Sequence, residues 1–147
     1  MIDSVGQWGI HGSVALDTVG NPHIAYLDWT NESLKYAVFN GSSWNIETVK
    51  SVFANNISLA LDAAGNPHIS YTYMTGSSGH LEYAYNNGST WNIYTLDSTL
   101  GNTVYHDGTS IVLDEDGHPH ISYRHEDLEE LKYAVSVSYT HLRAHET

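Results

Sequence analysis

Three histidines in this sequence follow a proline in nearly the same words: GNPHIAY at residues 20–26, GNPHISY at 65–71 and GHPHISY at 117–123. His23, His68 and His120 could ligate a metal or act as catalytic bases, since imidazole does both near neutral pH. Zinc, however, needs its ligands converging at about 2 Å on one ion. Residues at equivalent places in a repeat are dispersed, one to each unit. The expected role is therefore a partly buried imidazole that bonds a neighbouring strand or turn. Asp17, Asp62 and Asp114 repeat as well, and read as turn aspartates that accept backbone N–H groups. Asp114-Glu115-Asp116-Gly117 opens like a calcium loop, but the later ligands and the closing Glu are missing. No metal and no cofactor are expected.

The elements that position these residues follow from the repeat. One unit reads GSVALDTVGNPHIAYLDWTNESLKYAVFNGSSWNIETV over 12–49, and a second ISLALDAAGNPHISYTYMTGSSGHLEYAYNNGSTWNIYTL over 57–96. A third, TSIVLDEDGHPHISYRHEDLEELKYAV, begins at 109 and is cut short. The prolines lie 45 and then 52 residues apart, and the connector STLGNTVYHDG absorbs the difference. Each full unit carries four strand-like runs. Asp-x-x-Gly between the first two suits a turn closed by a left-handed glycine at Gly20, Gly65 and Gly117. Asn40-Gly41 and Asn87-Gly88 are hairpin signals between the third and fourth. Four strands every 40–50 residues or so is the signature of propeller blades.

The fold class expected is all-β, an incomplete β-propeller of about three four-stranded antiparallel blades from a larger ring. Residues 1–11 read as the end of a preceding blade with its connector, 12–56 as blade 1, 57–108 as blade 2 and 109–136 as part of blade 3. Residues 137–147, VSYTHLRAHET, resemble the translation of a sequencing-library transposon adapter and are set aside as non-native. Trp44 and Trp91, at repeated positions, are expected in the core between blades.

The wording ALDxxGNPHISY…LKYA…NGSxWNIETV resembles the blades of bacterial and archaeal propeller proteins related to the sialidase/BNR-repeat superfamily. The resemblance covers residues 12–135. The Gly-x-x-Trp half of that superfamily's Asp-box turn survives at 41–44 and 88–91, without its aspartate. Sialidases of that superfamily hold a substrate carboxylate with clustered arginines and use a Tyr–Glu nucleophile pair. Outside the tail, Arg124 is the single arginine here, so that apparatus is not expected in this chain.

Composition narrows the partners. The net charge is −12, from seventeen acidic and five basic side chains, which repels phosphate backbones and offers anionic lipid no basic patch. No apolar run approaches the roughly 18 residues of a membrane span, and no cysteine supplies a disulfide or thiolate ligand. Function is then sought among non-repeated residues on the loop face, where strands two and three are joined and where one blade leads to the next. These are Trp8, His11, Trp29, Phe53, Tyr73, His80, Tyr105, His106, His125 and Glu126, with Asp127 beside them. Aromatic and polar side chains there suit a carbohydrate or protein ligand. The expected role is a non-catalytic binding or scaffold module of a larger extracytoplasmic protein, whose remaining blades are its first partners. The alternative is a fragment of a glycan-processing hydrolase whose catalytic residues lie in those other blades.

Overall fold

A computed structural model describes residues 2, 11–101, 108–125 and 127–136, and the backbone of 142–145. It is all-β: among the described residues there is no helix, and so none long and apolar enough to cross a membrane. Among the described residues, twelve strands form three separate four-stranded antiparallel sheets, and none of these sheets closes into a barrel. Sheet one holds β1 (Gly12–Leu16), β2 (Pro22–Asp28), β3 (Ser33–Phe39) and β4 (Trp44–Lys50). Sheet two holds β5 (Asn55–Leu61), β6 (Pro67–Thr75), β7 (Ser78–Asn86) and β8 (Trp91–Asp97). Sheet three holds β9 (Thr109–Leu113), β10 (Pro119–His125), β11 (Glu130–Ser136) and β12 (Leu142–His145). Within each sheet the strands neighbour one another in chain order.

The turns form as their residues dictate. Gly20, Gly65 and Gly117 have φ of 91°, 83° and 82°, and each donates its N–H to the carbonyl of the aspartate three residues earlier. A Cβ disfavours that conformation, so glycine lets the first hairpin of each sheet close. Proline then opens β2, β6 and β10, where a missing N–H is tolerated. At the third-to-fourth turns an asparagine does the bracing. Asn40 Oδ1 accepts the N–H groups of Ser42 and Ser43, and Asn87 Oδ1 accepts those of Ser89 and Thr90. In both turns the asparagine immediately before the glycine supplies the acceptor.

Burial follows the packing of one sheet on the next. One core joins sheets one and two through Leu27, Leu34, Tyr36, Leu59, Ile69 and Tyr71. A second joins sheets two and three through Leu81, Tyr83, Ile111, Ile121 and Tyr123. Sheet two faces both cores, and β6 has six consecutive buried residues, whereas β10 alternates strictly. The first strands are the contact line, with β5 lying against both β1 and β9. Ser13 Oγ accepts the Leu59 N–H at 3.1 Å, and Ser58 Oγ repeats this with the Ile111 N–H at 3.2 Å. Val14 and Leu16 on β1 are each 64% exposed, as is Val112 on β9 to a similar degree.

Trp44 and Trp91 are half-buried rather than fully enclosed, because the fourth strand is the outer edge of each sheet. Trp91 still crosses a sheet boundary. Its ring meets Tyr36 edge-on at 5.4 Å and its indole N–H donates to Glu47 at 3.0 Å. Trp44 packs on Phe39 within its own sheet. The tail is also structured in part, since β12 pairs with β11 through Ala134↔Ala144, as Ala37 pairs with Ile46 in sheet one and Ala84 with Ile93 in sheet two.

Candidate functional site

The repeated histidines form three copies of one arrangement, each inside its own sheet. His23, His68 and His120 present Nδ1 to Tyr36, Tyr83 and Tyr133, the His68 contact measuring 2.6 Å. The Nε2 atoms face Asp17, Asp62 and Asp114 at 3.8, 3.7 and 3.4 Å. Burial pushes the pKa of His23 and His68 down, with the neighbouring aspartate opposing, so both rings are neutral. The aspartates are occupied as well. Asp62 Oδ1 accepts the backbone N–H groups of Ala64 and Asn66, each at 2.8 Å. Asp–His–Tyr chains of this kind can relay a proton, but these copies, two buried and the third half-buried, are bound to turns and brace the hairpins instead. Each imidazole thus bonds a neighbouring strand through a tyrosine and faces the aspartate of its own turn, partners that the sequence reading did not name.

The other edge of each sheet carries the residues that differ from repeat to repeat. Trp29 and Phe53 meet edge-on with ring centroids 4.4 Å apart, and Trp29 remains 39% exposed. Tyr73 stacks on His80 at 4.9 Å, and the Lys50 ammonium lies 4.6 Å from the Tyr73 ring centroid. Phe53 and Tyr73 rest on the same core, so the two aromatic pairs share the boundary of sheets one and two. His11 is half-buried and its carbonyl accepts the Leu27 N–H. His125 departs from its place among the surface candidates. It is 3% exposed, with Nε2 at 3.1 Å from Thr99 Oγ1 and Nδ1 without a partner among the described residues. Asp127 is exposed and abuts Gly101, whose φ of 89° lets the connector pass. Trp8, Tyr105, His106 and Glu126 lie outside the described residues.

A set of charges that sequence reasoning missed lies beneath this edge. Glu82 is 3% exposed and accepts Lys50 at 2.6 and 2.7 Å, Tyr71 at 2.6 Å, Tyr73 at 3.0 Å and Thr95 at 3.2 Å. Burial alone would raise its pKa, but the hydrogen bonds from Lys50, Tyr71 and Tyr73 outweigh that and lower it. The Tyr71 hydroxyl is pushed well above its ordinary range by burial and by Glu82. At the next boundary the polarity is reversed. Asp97 occupies the strand end that Lys50 holds in sheet one, and Lys132 the place of Glu82, at 3.9 Å from each other. Tyr123 donates to Asp97 at 3.1 Å as Tyr71 donates to Glu82. The third lysine, Lys35, pairs with buried Asp28 at 2.7 Å. One-residue register shifts at Leu34/Lys35 and Leu81/Glu82 bend the fourth strands just where these ends cross. The signal was present in LKYA, LEYA and LKYA against the strand ends VK and LD.

These carboxylates have little catalytic capacity. A glycosidase needs two acids accessible to a ligand on opposite sides of the scissile bond. Asp28, Glu82 and Asp97 are ionised, enclosed and saturated by donors. What the edge offers solvent is aromatic surface rimmed by polar groups.

No family model matches the chain, and no curated protein matches it. Among solved structures it is similar to an exo-β-1,3-galactanase from Clostridium thermocellum, with a TM-score of 0.51 and 17% identity over 92% of this chain. That match spans 34% of the galactanase chain, about a third of its length. At this identity the likeness concerns fold alone.

Proposed function

We propose that the three sheets are consecutive blades of an incomplete β-propeller, and that the edge carrying Trp29, Phe53, Tyr73 and His80 binds carbohydrate as a non-catalytic module of a larger extracytoplasmic protein. The observation that carries this reading is the exposed Trp29 on half-buried Phe53, beside the Tyr73–His80 stack. The electron-rich face of an aromatic ring receives the C–H groups of a sugar, while imidazole and hydroxyl groups at its rim hydrogen-bond the substituents. Radial packing supports the propeller, since each sheet touches the next along its first strand and successive sheets share a core. The likeness to a galactanase fits a fold on which glycan recognition occurs, and galactose polymers are the first ligands to try. Placement outside the cytoplasm follows from that ligand class, and the remaining blades are the chain's nearest partners. Kinship with the sialidase/BNR-repeat superfamily belongs to the same proposal and rests on the repeated wording and the asparagine-braced turns.

Affinity electrophoresis of the chain in gels cast with β-1,3-galactan, other soluble glycans or no polysaccharide tests the proposal. Retardation in one glycan that is abolished by Trp29→Ala and weakened by His80→Ala is expected, with the far-UV spectrum unchanged. Equal mobility in every gel, or retardation indifferent to both substitutions, would remove the carbohydrate reading. Release of reducing sugar from the retained glycan would favour the hydrolase alternative.

A further inference from the structure

The third Asp-x-x-Gly turn differs from the other two in a way its geometry does not require. Sheets one and two carry Val19 and Asn21, and Ala64 and Asn66, where sheet three carries Asp116 and His118. The asparagines already complete the turn, Asn66 donating its side-chain amide to Asp62 Oδ2 at 2.8 Å and Asn21 doing likewise to Asp17 at 2.9 Å. His118 Nδ1 occupies the same place, 3.2 Å from Asp114 Oδ2. Two of the three departures from the repeat, Asp116 and His118, thus add metal-ligating atoms to a turn that stands without them. The ligand atoms of Asp114, Asp116 and His118 all lie within 4.8 Å of one another. Ligands about 2.1 Å from a tetrahedral zinc ion sit roughly 3.4 Å apart, close to the Asp114–His118 separation. His120, already held by Tyr133, places Nε2 3.4 Å from the same Asp114 oxygen. Access is open through a cleft of about 390 Å³ lined by Asp62, Ala64, Asp114, Glu115 and Asp116.

We propose that Asp114, Asp116 and His118 form a site for a divalent transition-metal cation of the zinc class, on the edge opposite the aromatic pairs. Imidazole with carboxylates suits Zn²⁺ or Ni²⁺, whereas an all-oxygen set would suit Ca²⁺. Binding exchanges the His118–Asp114 hydrogen bond for two metal bonds. The Nδ1 proton moves to Nε2 or to solvent, and the neutral ring gives its lone pair to the ion. This reverses the metal-free expectation drawn from the sequence, where a calcium pattern was the standard of comparison and His118 was left out of it.

The test is calorimetric titration of the full chain with ZnCl₂ and CaCl₂, beside His118→Asn and Asp116→Ala. Both variants install what sheet two carries at those places, so the turn is expected to fold, and far-UV spectra check this. Zn²⁺-induced shifts of the His118 ring resonances give a second readout that does not depend on the variants, and separate this site from other histidines. One zinc equivalent bound through His118, with affinity lowered roughly tenfold or more in each variant, is the result expected. Unchanged zinc affinity in both variants, an unshifted His118 ring, or Ca²⁺ bound at this turn more tightly than Zn²⁺ would each overturn the site.

Discussion

Exchanging the charges at the first sheet boundary tests whether the two ion-pair sets are interchangeable parts. Lys50→Asp alone would set a second carboxylate against Glu82, whose acceptors are already engaged by Tyr71, Tyr73 and Thr95. Breaking one side of a buried pair costs about 3–5 kcal/mol, because the remaining charge stays enclosed without compensation. The Lys50 side chain is 29% exposed, so solvent screens part of this, and a loss of about 3 kcal/mol is expected. Glu82→Lys alone should cost a similar amount. The double substitution restores a pair of reversed polarity, the form that Asp97, Lys132 and Tyr123 already hold next door. Independent effects would sum to about 6 kcal/mol; the double variant is expected to lose about 3, a coupling of about 3 kcal/mol. Urea unfolding of the four proteins measures it. Additive losses would refute the view that the boundaries share one interchangeable design.

The same network sets a pH dependence. Glu82 has a folded pKa below its ordinary value of 4.5, since its donors outweigh the effect of burial. The unfolded chain therefore takes up this proton first as pH falls. The stabilisation is full above about 4.5 and is lost as pH drops through the lower folded value. Lys50→Met removes the strongest of those donors while burial persists, so acid unfolding should shift to higher pH.

The histidine braces and the turn glycines give two further tests. His68→Ala is expected to cost roughly 1–3 kcal/mol and Tyr83→Phe about 1 kcal/mol, less than additively together, since both remove one hydrogen bond. Because burial depresses His68 below its ordinary 6.5, the unfolded chain protonates first and stability should decline as pH falls below 6.5, a slope that His68→Ala reduces. A melting curve of wild type and His68→Ala between pH 7.5 and 5 would show it, and identical slopes would count against the buried neutral ring. Gly20→Ala is expected to cost about 1 kcal/mol, because an added Cβ meets no atom and only the φ of 91° opposes it; an unchanged urea midpoint would remove that account.

The sheets were legible because a repeat states its own boundaries. The words DxxGNPH and NGSxW fall at turns whose φ angles and hydrogen bonds match what glycine and asparagine prefer. The edge chemistry was less legible, for a physical reason. Repeated letters mark what each sheet does alone, whereas Lys50, Glu82, Asp97 and Lys132 act in pairs across boundaries, where opposite residues can serve one purpose. A comparison that aligns like with like scores such an inversion as mere variation. His125 was misjudged similarly. Its strand-end place is shared by Asp28 and Tyr73, and each of the three turns inward to a different partner.

The tail poses the remaining question, which is what a strand needs in order to join a sheet. Residues 137–147 lack the WNIETV wording, yet Leu142–His145 lies beside β11 in the register of β4 and β8, with Leu142 where Trp44 and Trp91 begin those strands. The third strand of an antiparallel sheet presents unpaired N–H and C=O groups, and almost any extended segment can satisfy them. Pairing of that origin is held by backbone alone. Leucine also cannot supply the indole N–H with which Trp91 reaches across to Glu47. Deleting 137–147 should therefore change the unfolding free energy by no more than about 1 kcal/mol, the net worth of a frayed edge pairing. It should also bare the edge of β11 and promote self-association, which sedimentation velocity over a concentration series would detect. A loss of several kcal/mol would mean that the tail's side chains pack as a true fourth strand, and that the residues set aside as foreign belong to the fold.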